Sequence, residues 1–143
     1  MSIGKAHVVS AAIVDAAAKR LFVQRRSGKA PSYPWQWCTP GGKVEGDEYQ
    51  LEALRRELHE EHGVKLSIGQ VGREVYTHDV LSTRTGQIVT VWCYLVPSVA
   101  VTGIYQAGPS VAGFDWVNAD ELQRLVMTPA DDANRAKLLA LLA

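Results

Sequence analysis

The stretch GGKVEGDEYQLEALRRELHEEHGV, running from Gly41 to Val64, decides how the rest of the chain is read. It opens on two glycines, where a backbone can turn sharply and approach a ligand closely. It then passes into one long helical pattern from Asp47 to His62. Asp47 is placed to cap that helix, with Gln50 three residues on completing a capping-box-like pair, and Gly63 is placed to stop it. At about 100° per residue, Leu51, Leu54 and Leu58 form an apolar stripe. Glu57, Glu60 and Glu61 share an arc of roughly 100° beside that stripe, not opposite it. The acids are therefore half sheltered, where like charges repel more strongly than in open water.

Carboxylates at i, i+3 and i+4 disfavour one another by a few tenths of a kcal/mol per pair, roughly, even when exposed. Arg56 is the one cation beside them on that side of the helix. Three acids with so little positive charge describe a site for a hard cation, Mg²⁺ or Mn²⁺. A solvated acidic helix face has the same spacing. Gly41-Gly42 is a turn on one reading and, on the other, the source of a backbone carbonyl as a further oxygen ligand.

Outward from this stretch, 143 residues are near one ordinary domain, and the expectation is a single domain over 1–143. With 15 Lys+Arg against 15 Asp+Glu, the net charge is zero, which argues against bulk nucleic-acid binding but not against a local phosphate pocket. The two cysteines, Cys38 and Cys93, have no metal-like spacing, so neither a disulfide framework nor a zinc cluster is the basis of the fold. Free thiols suit a cytoplasmic location. No apolar run approaches the roughly 18 residues of a membrane helix. The apolar N-terminal segment reads as a strand over Val8–Val14, not as a secretory leader, because Ser10 and Asp15 interrupt it.

A turn at Asp15–Arg20 leads to a second strand, Leu21–Arg26, and the two form a hairpin. Ser27–Thr39, with Gly28, Pro31 and Pro34, is a loop. Strands follow over Gln70–His78, Ile88–Val96 and Phe114–Val117, with a turn at Thr85-Gly86 and a loop over Tyr105–Gly113. Asn118 caps a helix through Leu125, and an amphipathic helix closes the chain from about Ala130 to Leu142. Strands mixed with helices, without βα alternation, give an α+β fold.

Gly42, five residues, Glu48, seven residues, then Arg56-Glu57-Leu58 and Glu60-Glu61, with Gly63-Val64 behind them, resemble the Nudix box G-x5-E-x7-R-E-U-x-E-E-x-G-U, where U is apolar, at every fixed position. The strand before Arg25-Arg26, the Trp37-x-x-Pro40-Gly41-Gly42-Lys43 entry and the late Phe114-Asp-Trp-Val117 strand resemble the MutT-like branch of that family. The resemblance implies a mixed β-sheet between helices and Mg²⁺-dependent hydrolysis of a nucleoside diphosphate linked to another group, with Mn²⁺ as a substitute ion. It implies that Glu57, Glu60 and Glu61 ligate the ion together with the Gly42 carbonyl. Glu57 would be a base for the attacking water, Arg56 would orient Glu57, and Glu48 would support the loop–helix geometry. It further implies a phosphate-contacting arginine near the end of the second strand, assigned to Arg25, since adjacent strand residues face opposite ways. It places an acid or amide near the last helix to read the base edge, best matched by Asp131. An ionised Asp only accepts hydrogen bonds, which favours cytosine-type or oxidised purine bases over thymine.

Trp35 and Trp37, in the loop before Gly41, are candidates for a stacking wall against the base, or are core and rim residues. Lys43 is placed to meet phosphate charge, or is a surface lysine. His59 and His62 lie away from the acidic arc and are expected in solvent. Many relatives add a glutamate from the loop before the late strand, yet Tyr105–Gly113 contains no acid, so the site uses the helix carboxylates alone or recruits another, such as Asp115. The leading expectation is a nucleotide substrate, with (d)NTP cleaved to (d)NMP and pyrophosphate in nucleotide-pool cleansing. Alternatives are nucleotide sugars, dinucleoside polyphosphates or RNA 5′ ends, and a non-catalytic nucleotide-binding module. No membrane partner is expected, and a homodimer is compatible with the apolar sheet edges common in this architecture.

Overall fold

The computed structural model describes residues 6–82 and 84–143. Strands β1 (Ala6–Asp15) and β2 (Arg20–Arg26) make the expected hairpin, pairing Val14 with Leu21 and Asp15 with Arg20. The strands then part, and the chain fills the wedge between them. β3 (Trp37–Cys38) pairs with β2, and β4 (Gly41–Lys43) pairs with β1 through Val8↔Lys43, Val9↔Gly42 and Ser10↔Gly41. Gly41 has φ +155°, and a Cβ there would collide with the backbone of Val9 and Ser10, so only glycine lets β4 lie this close to β1.

The helix α1 (Gln50–His62) follows, with Gly63 in the left-handed conformation at its end as expected. β5 (Lys65–Leu66) pairs with β8 (Val101–Thr102) in a small separate ribbon. β6 (Glu74–Leu81) and β7 (Ile88–Pro97) form an antiparallel pair, and β7 runs parallel to β1 along Ala6–Val14. β9 (Val111–Val117) pairs with the far edge of β2. The short helices α2 (Ala119–Arg124), α3 (Pro129–Ala133) and α4 (Arg135–Ala140) end the chain.

The alternation of β1 and β2 divides the core in two. Val9, Ala11, Ile13 and Phe22 pack with Leu54 and Leu58 of α1, whereas Ala12, Val14, Leu21 and Val23 pack with Leu122, Leu138 and Leu142. Burying Leu54 and Leu58 completely contributes about 3–6 kcal/mol of transfer free energy and fixes α1 against the sheet. The result is the expected α+β arrangement, a mixed sheet between helices.

Several boundaries differ from the sequence reading. Tyr49, not Asp47, is the N-cap of α1, because Gly46 (φ +52°) bends the chain and Glu48 turns back to accept the Glu45 N–H. The region 27–39 contains β3, which has no local signature because its partner is β2. Ile68–Gln70 is a 3-10 turn, so β6 starts later than Gln70, and β9 starts earlier than Phe114. The final helix is two pieces broken at Asn134 (φ −113°, ψ 19°), whose side chain donates to the Ala130 carbonyl.

Candidate active site

The side chains of the Gly41–Val64 stretch are organised around one guanidinium. Arg56 donates Nε to Glu48 Oε2 at 2.8 Å and Nη2 to Glu48 Oε1 at 3.0 Å, a two-pronged pair. Its Nη1 reaches Glu57 Oε1 at 2.9 Å and Glu60 Oε2 at 3.3 Å, and its Nη2 also reaches the Lys43 carbonyl at 2.9 Å. Only a planar fork can hold three carboxylates and a carbonyl together in this way. The Arg56 hydrogen bonds, with that from the Glu45 N–H, hold the Glu48 carboxyl down at about 2.

Glu57 is the most enclosed of the acids bonded to Arg56, and its carboxylate lies directly against the Cα of Gly42. A Cβ at Gly42 would collide with it, so the second glycine of the pair is required for a different reason from the first. Glu61 lies deeper. Burial, followed by its hydrogen bond with Glu57, pushes its carboxyl up to about 8, while Gln24 and Arg26 oppose the shift. Its Oε2 is buried and has no hydrogen-bond partner. Among the described residues no three acid, histidine or cysteine side chains are gathered closely enough to hold an ion as they stand, Glu60 being turned out to Arg56. The chemistry of the set nevertheless fits a hard cation: a buried orphaned carboxylate oxygen, a second carboxylate in contact with it, and glycine backbone beside both.

Gly42 also lines a cleft of about 290 Å³. Arg26, Lys43, Gln24, Cys38 and Tyr33 line it as well, together with Ser10, Thr39, Tyr76 and Asp131. Asp131 is buried, 2% exposed, and does not cap its own helix. Its Oδ2 accepts the Thr39 N–H at 2.7 Å, Thr39 Oγ1 lies 3.1 and 3.0 Å from Oδ1 and Oδ2, and the Tyr76 hydroxyl donates to Oδ1 at 2.6 Å. Burial raises the Asp131 carboxyl, and these donors pull against it.

Other residues stand where the sequence reading did not put them. Arg25 is not in the cleft. It lies against the indoles of Trp35 and Trp37, 5.2 and 5.9 Å from their centroids, and donates Nε to the Trp35 carbonyl. Its neighbour Arg26 faces the cleft instead and donates Nε to the Ser32 carbonyl. Trp35 and Trp37 are therefore not cleft walls: Trp35 covers Gly28 and is 55% exposed, and Trp37 packs against the core under α2–α4. Tyr33, at φ +50°, is the aromatic residue of that loop that reaches the cleft.

His62 is fully buried, not solvated. It sits four residues after Leu58 on the apolar stripe, its Nδ1 2.8 Å from the Gln106 carbonyl and its Nε2 2.6 Å from Gln24 Oε1. Burial lowers its pKa. The loop without an acid is strapped to the end of α1, with Gln106 N–H on the His62 carbonyl and Gly108 N–H on the Glu61 carbonyl. Asp115 is exposed and accepts a hydrogen bond from the adjacent Trp116 N–H, whereas its neighbours Phe114 and Trp116 pack on the α1 side. Asp115 thus points away from the helix acids.

The fold and this acid cluster define a phosphoanhydride-cleaving class of enzyme. The NUDIX domain family model matches residues 5–142, and the chain belongs to that family and is a Nudix hydrolase. The CTP pyrophosphohydrolase of Escherichia coli K12 is 32% identical over 123 residues, which cover 86% of this chain and 84% of that protein. The solution structure of the E. coli ORF135 protein superposes with a TM-score of 0.78 at 31% identity, covering 97% of this chain and 91% of that one. The crystal structure of the MutT NUDIX hydrolase from Burkholderia pseudomallei gives 0.74 at 25% identity, covering 94% and 96%. Nudix hydrolases generally use a divalent metal. Among the described residues no helix is long and apolar enough to cross a membrane.

Proposed function

We propose that this enzyme hydrolyses nucleoside triphosphates to the monophosphate and pyrophosphate with Mg²⁺, or Mn²⁺ in its place, and prefers a cytosine base. The observation that carries the reading is the cleft itself, lined both by Gly42, with the Glu57 carboxylate behind it, and by a buried Asp131. Its likeness to a CTP pyrophosphohydrolase supports the choice of base.

Glu57, Glu60, Glu61 and the Gly42 carbonyl would hold the ion. A bound divalent ion neutralises phosphate oxygens and lowers the pKa of water. Glu57 takes the proton of the attacking water. The water oxygen bonds to one phosphorus of the α–β anhydride as the bond from that phosphorus to the bridging oxygen breaks; the bridging oxygen leaves with the other phosphorus, so the products are the monophosphate and pyrophosphate. Arg56 has no role as a base and holds Glu57 in place. Arg26, in place of the Arg25 that the family resemblance implied, meets the polyphosphate charge together with Lys43. Asp131 accepts from the cytosine exocyclic amino group, a donor that thymine and uracil lack at that position. The buried free thiols of Cys38 and Cys93 suit a cytoplasmic enzyme.

Pyrophosphate and phosphate release from canonical, methylated and oxidised (d)NTPs with Mg²⁺, run beside Glu57→Gln, tests this. The expected result is pyrophosphate release, greatest with cytosine nucleotides and lost in the variant. Turnover of nucleotide sugars, dinucleoside polyphosphates or RNA 5′ ends in place of every triphosphate would overturn it.

A further inference from the structure

Asp131 is held by groups drawn from remote parts of the chain. Thr39 leads into β4, Tyr76 lies on β6, and Asp131 itself is on α3, 92 residues from Thr39 and 55 from Tyr76. A carboxylate offers about four acceptor sites. The Thr39 N–H, the Thr39 hydroxyl and the Tyr76 hydroxyl can fill three of them. The backbone N–H can only donate, so Oδ2 is constrained to accept. A hydroxyl 2.6 Å from Oδ1 matches the short O–H···O⁻ bond of an ionised acceptor.

We propose that the Tyr76 hydroxyl, together with Thr39, is a specificity device: it keeps Asp131 a pure acceptor with one site free, so that the cleft selects bases carrying an exocyclic amino group against bases carrying a carbonyl at that position. The inference rests on the base-reading role of Asp131 proposed above. Tyr76 is a positioning residue, acting through Asp131. Ser10, 4% exposed and also lining the cleft, sets its hydroxyl beside that of Tyr76.

Without the Tyr76 hydroxyl, Oδ1 gains a bare site and burial favours the neutral carboxyl. A neutral carboxyl donates as well as accepts, and can serve the O4 of uracil. Loss of the bond thus weakens the response to cytosine and admits uracil. Hydrogen bonds to charged groups are strong enough that their removal is felt about tenfold or more in an equilibrium.

The test is kcat/KM for CTP and for UTP, with calorimetric binding of CMP and UMP, in wild type, Tyr76→Phe, Thr39→Ser and Thr39→Val. The CTP/UTP ratio is expected to fall about tenfold in Tyr76→Phe, and the CMP/UMP affinity ratio with it. Thr39→Ser, which keeps both donors, should retain the ratio, and Thr39→Val should lower it. A merely structural loss would depress both substrates alike and leave the ratio unmoved. A selective wild type whose ratio survives in Tyr76→Phe would overturn the role of Tyr76 alone. A wild type that does not distinguish CTP from UTP would overturn the cytosine reading, and this inference with it.

Discussion

Two groups of residues meet beside Gly42 and are built in opposite ways. Gly42, Glu48, Arg56, Glu57, Glu60 and Glu61 come from a single stretch of chain, and most of their contacts are made within it. Asp131, Thr39 and Tyr76 come from three remote parts of the chain, on α3, before β4 and on β6. The first group is charged and half open, and in the proposed function it would serve the phosphates common to all nucleotides. The second is buried and would serve the base, which differs among them. The comparison teaches that one cluster of side chains can be assembled by local spacing, whereas another depends on long-range packing.

If that division holds, the largest effects belong to the helix acids. Glu57→Gln and Glu60→Gln should each lower kcat by about 100-fold or more while thermal unfolding stays near wild type. Wild-type-like rates in both variants would remove the helix from the mechanism. Arg56→Lys keeps the charge but not the fork. It should raise the Mg²⁺ concentration for half-maximal activity about 10–100-fold on CTP and UTP alike. Gly42→Ala forces a methyl group into the Glu57 carboxylate and should cost activity by a factor between these variants and the smaller ones below, with little change in far-UV circular dichroism.

A smaller effect concerns acid stability. Glu48 is held at about 2 in the folded chain, below its ordinary 4.5. Its contribution is therefore complete above pH 4.5 and is lost as the pH falls towards 2. The wild-type melting temperature should drop across that window more steeply than that of Glu48→Gln, and parallel curves would contradict the Arg56–Glu48 pair as a stabilising contact. The smallest contrast is between neighbours. Arg26→Ala should raise KM for nucleotides several-fold, roughly, through loss of a phosphate partner, whereas Arg25→Ala should change it less. The reverse order would return the phosphate role to Arg25.

The same comparison explains what the sequence could and could not show. The helix, its stop at Gly63 and the arc of acids were legible, because helical spacing alone places those side chains. The family resemblance implied the contact of Arg56 with Glu57, whereas the two-pronged pair of Arg56 with Glu48 had no signal in the spacing. The burial of His62, against the expectation of a solvated residue, has a signal in the spacing: four residues after Leu58 it continues the apolar stripe. The choice between Arg25 and Arg26 needed the phase of β2 relative to the cleft, and the pairing of β2 with β9 shifts register between these two residues, which no local pattern shows. Nothing in the local sequence joins Thr39 or Tyr76 to Asp131. Thr128, not Asp131, is the N-cap of α3, and two remote donors hold the Asp131 side chain instead.

The most direct test of the division is the CTP/UTP ratio of kcat/KM in Arg56→Lys and in Asp131→Asn, measured beside wild type. Arg56→Lys is expected to be slow with an unchanged ratio, and Asp131→Asn to lose the ratio while still turning over triphosphates. Equal losses on both bases in Asp131→Asn, or a changed ratio in Arg56→Lys, would contradict the account.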